Sequence, residues 1–324
     1  MPSTPKVLYH NITGVTNLKS ITVTEGYNAA MSTATIDCES TTLNLGDSIS
    51  FSAGFSSTYG KMFTGYIRKI EQTLPEYKTL IICEDELAKA TDYFMASDDP
   101  DKPFERKNIL TENLIHDILE QAQITNYAYS VPLSVTWGTG SVGVKFNLTT
   151  AYQAARNIVD ALAWSIYADR NGQVHLADVK PYWTAESIDF TWTLATSNLL
   201  TLSHERSTEG LRNRVVVYGA TGVQAQASVS SAYLPAGFYK TSVIATPIID
   251  NKTMAQQTAD LNLTRFNRLT ERLMVEIEGD YLVEPRKFAT VTETYTNTSG
   301  NWFIYQVESR LDSSGFKQRL VLAK

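Results

Sequence analysis

The chain has 324 residues with 34 acidic against 28 basic side chains, a net charge of −6, and only 19% charged residues. A composition of 43% hydrophobic and 10% aromatic residues excludes a disordered chain, and the length predicts about two to four domains. The acidic balance excludes a surface that coats nucleic acid, because such affinity rests on Lys and Arg neutralising phosphates. Cys38 and Cys83 are too few for a disulfide framework or a cysteine metal site. Both fall in predicted strands, so a bridge is geometrically possible, and buried free thiols are the favoured state. Met1–Ser20 lacks the order of a signal peptide, and the run Val215–Tyr218 is far short of the ~20 residues that span a bilayer. No membrane insertion is expected.

In residues 1–86, Ile21 and Val23 alternate with Thr, Ala34, Ile36 and Cys38 alternate with Thr and Asp, and Ile49, Phe51 and Ala53 alternate with Ser. This period of two predicts strands with one buried face and one hydroxyl-rich face. With strands at Lys61–Gln72 and Lys78–Cys83, about five or six short strands suggest a small antiparallel barrel or sandwich. Residues 87–202 change character. Leu114, Ile115, Ile118 and Leu119 make a helical face behind Asn108 or Thr111 as cap. Thr150-Ala-Tyr-Gln153 reads as a capping box for a second helix, with Ala151, Ala155, Ile158, Val159 and Leu162 inward. Asn171-Gly172 then predicts a tight hairpin. Helix and hairpin together predict a small α+β domain. Residues 203–221 and 270–324 are again strand-like, with strands at Arg214–Gly219, Leu273–Ile277, Phe288–Thr292, Trp302–Leu311 and Phe316–Leu322. Between them, residues 222–269 carry a helix with Asp250 as a possible cap and Ala255, Ala259, Leu263 and Phe266 inward. The fold class expected is mainly β with α+β insertions.

The chemistry-bearing patterns are sparse. Gly138-Thr-Gly140-Ser-Val-Gly143 satisfies G-x-G-x-x-G, but Val144–Leu148 alternates like a strand where a dinucleotide site needs a helix. Asp98, Asp99 and Asp101 lack the glycine hinge and distal Glu of a calcium loop. His10, His116, His175 and His204 are scattered, with no H-E-x-x-H. Glu84, Asp85 and Glu86 form the densest acidic run, read as a solvated face. No serine-nucleophile elbow or P-loop occurs. The expectation is a non-enzyme with no catalytic residue, cofactor or metal. Arg265, Arg268 and Arg272 fall at i, i+3 and i+7 of the third helix; they form either a solvated flank paired with Glu271 and Glu276 or an inter-subunit contact, where Arg is enriched.

The order of these pieces resembles the baseplate hub proteins of tailed phages, the family that includes late-control protein D. Gly46–Phe51 followed by Lys61–Ile70 resembles that family's strand pair, and Leu80–Asp85 its closing strand. Ala154–Ala163 with Tyr167–Leu176 resembles the helix and hairpin of its middle domain. Leu202–Ser207 with Leu211–Gly219 resembles its re-entry strand, and Phe303–Val307 with Gly315 and Arg319–Leu322 its terminal hairpin. The resemblance implies two tube-like antiparallel β-barrel domains, at 1–86 and at 203–221 plus 270–324, an α+β domain at 87–202, and a helix-containing insertion at 222–269. It implies a structural homotrimer of pseudo-sixfold symmetry in the virion tail or baseplate, assembled in the host cytoplasm. Its partners would be the tail tube or distal tail protein above and the central spike below. DNA would pass through a mildly acidic lumen without specific binding. Two other readings stay open: a β-rich wall- or polysaccharide-binding module, and a cell-wall hydrolase using an acidic pair.

Overall fold

The computed structural model describes residues 7–27, 29–95, 103–130, 135–139, 143–162, 164–178, 188–193, 199–220, 222–267, 270–294 and 298–324. The first region contains β1 (Leu8–His10), β2 (Val15–Thr16), β3 (Ser20–Gly26), β4 (Thr33–Cys38), β5 (Ser40–Thr41), β6 (Ser48–Phe55), β7 (Thr58–Thr73) and β8 (Lys78–Glu84). The alternation in sequence becomes an alternation in burial: Ile21, Val23, Ala34, Ile36 and Ile81 are inside, and the Thr residues between them are not. The strands run in the order β1-β6-β7-β8-β4-β3, all antiparallel. The sheet curls until both ends share one core, in which Ala53 and Phe55 of β6 join Val23 of β3 around Phe51 and Phe63. Each such buried side chain contributes roughly 1.5–3 kcal/mol.

The middle region comprises α1 (Ala88–Asp92), β9 (Phe104–Arg106), β10 (Ile109–Leu110), α2 (Thr111–Gln121), β11 (Tyr127–Ser130), β12 (Thr136–Trp137), β13 (Val144–Phe146), α3 (Ala151–Ala161), β14 (Trp164–Ala168) and β15 (Val174–Asp178). The expected apolar faces of α2 and α3 are buried, with Leu114, Ile115, Ile118, Leu119, Ile158 and Val159 fully inside. Thr150 caps α3, its hydroxyl accepting from Gln153 N at 3.1 Å. Neither Asn108 nor Thr111 caps α2. Leu110 holds that position, and the Thr111 hydroxyl is used elsewhere, donating to Val135 O and accepting from Trp137 Nε1. Gly140 lies outside the described residues; after Gly143 the chain enters a strand, β13 paired with β9, as its alternation requires.

The last region holds β16 (Phe190–Thr193), β17 (Leu199–Ser207), β18 (Arg214–Tyr218), β19 (Gln224–Ser228), β20 (Thr241–Ala245), α4 (Lys252–Phe266), β21 (Thr270–Glu278), β22 (Phe288–Glu293), β23 (Thr298–Asp312) and β24 (Gly315–Ala323). Asn251, not Asp250, caps α4, with Oδ1 accepting from Met254 N at 2.8 Å. The strand Arg214–Tyr218 was expected in the second barrel and lies elsewhere. It pairs with β19 and β20 in a separate three-stranded sheet under α4. Val215 and Val217 pack into the same core as α2 and α3, so the insertion and the middle region share one interior. The physical reason is the face of β18: Val215, Val216 and Val217 are all buried, which needs cover on both sides. The remaining strands β16, β17 and β21–β24 enclose their own core around Val275, Ile277, Trp302, Ile304 and Leu320.

Candidate assembly face

The two outer regions are one topology written twice. The order β3-β4-β8-β7-β6 recurs as β17-β21-β24-β23-β22. Each long central strand carries a bulge at the matching place. Arg68 is the extra residue between Ile67 and Lys69, as Tyr305 is between Ile304 and Gln306. Ahead of each bulge, a left-handed residue closes the same reciprocal pair of backbone bonds. Gly46 (φ 83°) donates to Ile67 O at 2.9 Å, and Ile67 donates to Asp47 O at 3.0 Å. Arg286 (φ 76°) donates to Ile304 O at 2.9 Å, and Ile304 donates to Lys287 O at 2.8 Å. Arginine is strained there where glycine is not, and the Arg286 guanidinium lies over the Tyr167 ring at 3.5 Å. Burial pushes its pKa below the ordinary arginine value.

The halves are joined edge to edge. The outer half of β23 pairs antiparallel with β3, Glu308 opposite Thr24 and Arg310 opposite Thr22. Eight strands, β7-β8-β4-β3-β23-β24-β21-β17, thereby form one continuous surface. The side chains turned away from both barrel cores stand in register across it. One row runs Glu84, Thr33, Thr24, Glu308, Arg319, Glu276, Thr201. Charges on this face neutralise one another: Lys69 with Glu71 at 2.6 Å, Lys78 with Asp37 at 3.4 Å, Arg310 with Asp312 at 2.7 Å, and Arg319 with Glu276 at 3.5 Å. Lys69 holds the Glu71 carboxyl below its ordinary pKa, and Ser314 does the same for Asp312. Such exposed pairs are screened by solvent and add little to stability; their effect is to keep the face near neutral. A groove of about 390 Å³ lies on it, between Leu202, Met274, Val275 and Val321.

A buried ion pair clamps the joint from behind. The hairpin between β14 and β15 turns through Asp169–Gln173. The turn differs from the expected two-residue form: only Gly172 (φ 80°) is left-handed, and the Asp169 carboxylate accepts from Asn171 N and Gln173 N. That wider turn projects Arg170 into the junction of both halves. Its Nε donates to Glu25 of β3 at 2.9 Å, Nη2 donates to Val283 O at 2.8 Å, and Nη1 to Tyr281 O. Arg170 and Glu25 are each 6% exposed. Burial opposes the guanidinium charge, but Glu25 outweighs it and holds the Arg170 pKa above its ordinary value. The Arg170 carbonyl also accepts from the Thr64 hydroxyl at 2.8 Å, tying in β7.

The residues singled out in sequence fall in different places. Arg265 points inward, 3.9 Å from Asp160 of α3, with a side chain 12% exposed. Arg268 lies outside the described residues. Arg272 is not on the helix, which ends at Phe266; it stands exposed on β21, on the eight-stranded face and opposite Glu205. Arg265 and Arg272 therefore share no helix flank. Among the acidic run, Asp85 is not solvated. It is buried and accepts from Ser32 N and Leu87 N, and burial raises its pKa to about 7. Asp98, Asp99 and Asp101 lie outside the described residues. His116 faces Glu120 at 3.1 Å, and His175 faces Asp169 at 3.1 Å. Among the described residues no three His, Cys, Asp or Glu side chains gather as a metal site, and no helix is long and apolar enough to cross a membrane. Cys38 and Cys83 are buried free thiols, burial pushing Cys83 up to about 12.

No protein-family model and no curated protein sequence matches this chain. Solved structures do. A tail protein from Neisseria meningitidis superposes with a TM-score of 0.74 over 99% of this chain and 97% of its own, at 12% identity. The 43 kDa tail protein of prophage MuSo2 from Shewanella oneidensis gives 0.71 over 97% of each chain, at 10% identity. An Escherichia coli component of the type VI secretion system gives 0.62 over 97% of this chain and 76% of its own, at 10% identity. The chain thus has the mainly β fold, with α insertions, of phage tail proteins, in keeping with its resemblance to baseplate hubs.

Proposed function

We propose that the chain is a structural hub subunit of a phage tail or related injection machine, with no catalytic role. Three copies form a ring of pseudo-sixfold symmetry in the virion baseplate, linking the tail tube or distal tail protein to the central spike. The observation that carries this reading is the doubled topology with its continuous eight-stranded face. Two like halves already joined side by side in one chain supply two of the six positions of a ring, and three chains supply all of them.

The dimensions are consistent. Three copies of eight strands give 24, which at about 4.8 Å per strand measure roughly 115 Å around, or about 37 Å across. Strand counts above about 16 leave an open channel rather than a filled core. The near-neutral, hydroxyl-rich face offers no Lys/Arg stripe to hold phosphates, so DNA slides past it. The tail proteins and the secretion component that share the fold support the same placement. Light scattering of the purified chain with negative-stain imaging tests the proposal. A ring of threefold mass is expected, and a stable monomer that binds wall polysaccharide would overturn it.

A further inference from the structure

The internal repeat identifies the two edges that meet between copies, an inference that rests on the ring proposed above. Inside the chain the edge strand β3 covers the outer half of β23, the part that β22 leaves bare beyond Phe303. By the matched order and bulges, β17 corresponds to β3, and the outer half of β7 corresponds to that of β23. Among the described residues, β17 pairs only with β21. Beyond Tyr66, β7 likewise pairs, among the described residues, only with β8, because β6 reaches no further. The chain thus contains one finished joint and both separate halves of a second.

We propose that β17 of one copy pairs antiparallel with Arg68–Thr73 of the next, in the register copied from the internal joint. Gln306 stands opposite Gly26, Glu308 opposite Thr24, and Arg310 opposite Thr22. Carried through the bulges and the β21 and β4 pairings, Lys69 of one copy faces Ser207 of the next, Glu71 faces Glu205, and Thr73 faces Ser203. The occupant is a second copy of this chain because the template for the joint is this chain itself. The one like-charge meeting, Glu71 against Glu205, has a cation on each side: Lys69 lies beside Glu71, and Arg272 stands opposite Glu205. Alternation keeps the polar side chains on the shared face and turns Ile70 of one copy toward the interior, next to Arg206 of the other.

Cysteine cross-linking on the full chain tests the register. Thr73→Cys with Ser203→Cys places two exposed positions directly opposite across the joint, within the separation a disulfide needs. The native Cys38 and Cys83 are buried, and the Cys83 thiol is held protonated, so they do not compete. Under mild oxidation the double variant is expected to run as covalent species of two and three chain masses, lost on reduction. Each single variant and the displaced pair Thr73→Cys with Ser207→Cys should not. Wild-type trimers by light scattering, with no cross-link from the matched pair, overturn the edge assignment and leave the ring standing. A chain that remains monomeric and gives no cross-link overturns both.

Discussion

Arg170 offers the sharpest test of how the halves are held at their fixed angle. Arg170→Met keeps most of the side-chain volume and removes the charge, leaving Glu25 buried and three acceptors short of donors: the Glu25 carboxylate, Tyr281 O and Val283 O. Breaking a buried pair by removing one partner costs about 3–5 kcal/mol. Arg286 also acts on Glu25 through its charge and offsets part of that loss, so the lower end, about 3 kcal/mol, is expected. At roughly 2–4 °C per kcal/mol for a domain of this size, the melting temperature should fall by on the order of 10 °C. Calorimetry and urea unfolding followed by circular dichroism measure both quantities. Adding Glu25→Gln to Arg170→Met removes the stranded charge and should recover about half the loss, since neutralising both members of a buried pair costs far less than removing one. A single variant within about 0.5 kcal/mol of the wild type, or a double variant no better than the single, would refute the clamp.

Three further outcomes follow from the cores and caps. Ile158→Ala empties a fully buried position between α2 and α3 and should cost about 2–5 kcal/mol in urea unfolding. Thr150→Ala removes the α3 cap and should cost about 1 kcal/mol, with Thr150→Ser recovering most of it. Asp85→Asn reads out a titration. A carboxyl whose pKa is raised in the folded state from 3.8 to about 7 binds its proton more tightly there than when unfolded. Its stabilising contribution is therefore full below about pH 3.8 and is lost as pH climbs through 7. The stability of Asp85→Asn minus that of the wild type should rise by up to about 1.4 kcal/mol per pH unit between pH 4 and 7. A flat difference across that window would mean that Ser32 N and Leu87 N hold the carboxylate ionised.

Much of this fold is legible in the sequence wherever burial is one-sided. Ile21, Val23, Ile36 and Cys38 alternate with polar residues because one face of each strand meets a core, and the period of two states that directly. The same holds for α3, whose five predicted inward residues are all inside. Legibility fails where pairing depends on distant chain. Val215–Val217 reads as a strand but not as a strand of a particular sheet, because burial on both faces erases the period. Arg272 reads as helical because a spacing of seven fits a helix, and only the end of α4 at Phe266 excludes it. The repeat itself is hidden because its shared features are backbone ones. A bulge can be made at Arg68 or Tyr305, and a left-handed turn at Gly46 or Arg286, without a common side chain.

The eight-stranded face is illegible in the sequence for a related reason: it has no motif, only strands whose edges are bare among the described residues. Exposed edges are ordinarily a hazard, because unpaired N–H and C=O groups recruit any extended chain, and proteins blunt them with proline, bulges or cover. Here β17 runs nine residues without proline, and among the described residues neither it nor the outer half of β7 has a second strand beside it. A head-to-tail joint between such edges gives a closed ring or an open filament depending only on the rotation at each step. In this chain that rotation is not left to chance association. The β3–β23 joint fixes it within each copy, and the buried Arg170–Glu25 pair holds that joint from the side away from the eight-stranded face. If the joint between copies repeats the same step, closure follows from the fold of a single chain. In the proposed ring, the hairpin carrying Arg170 would then do more than stabilise: by holding the β3–β23 joint it would set the step from which the ring closes.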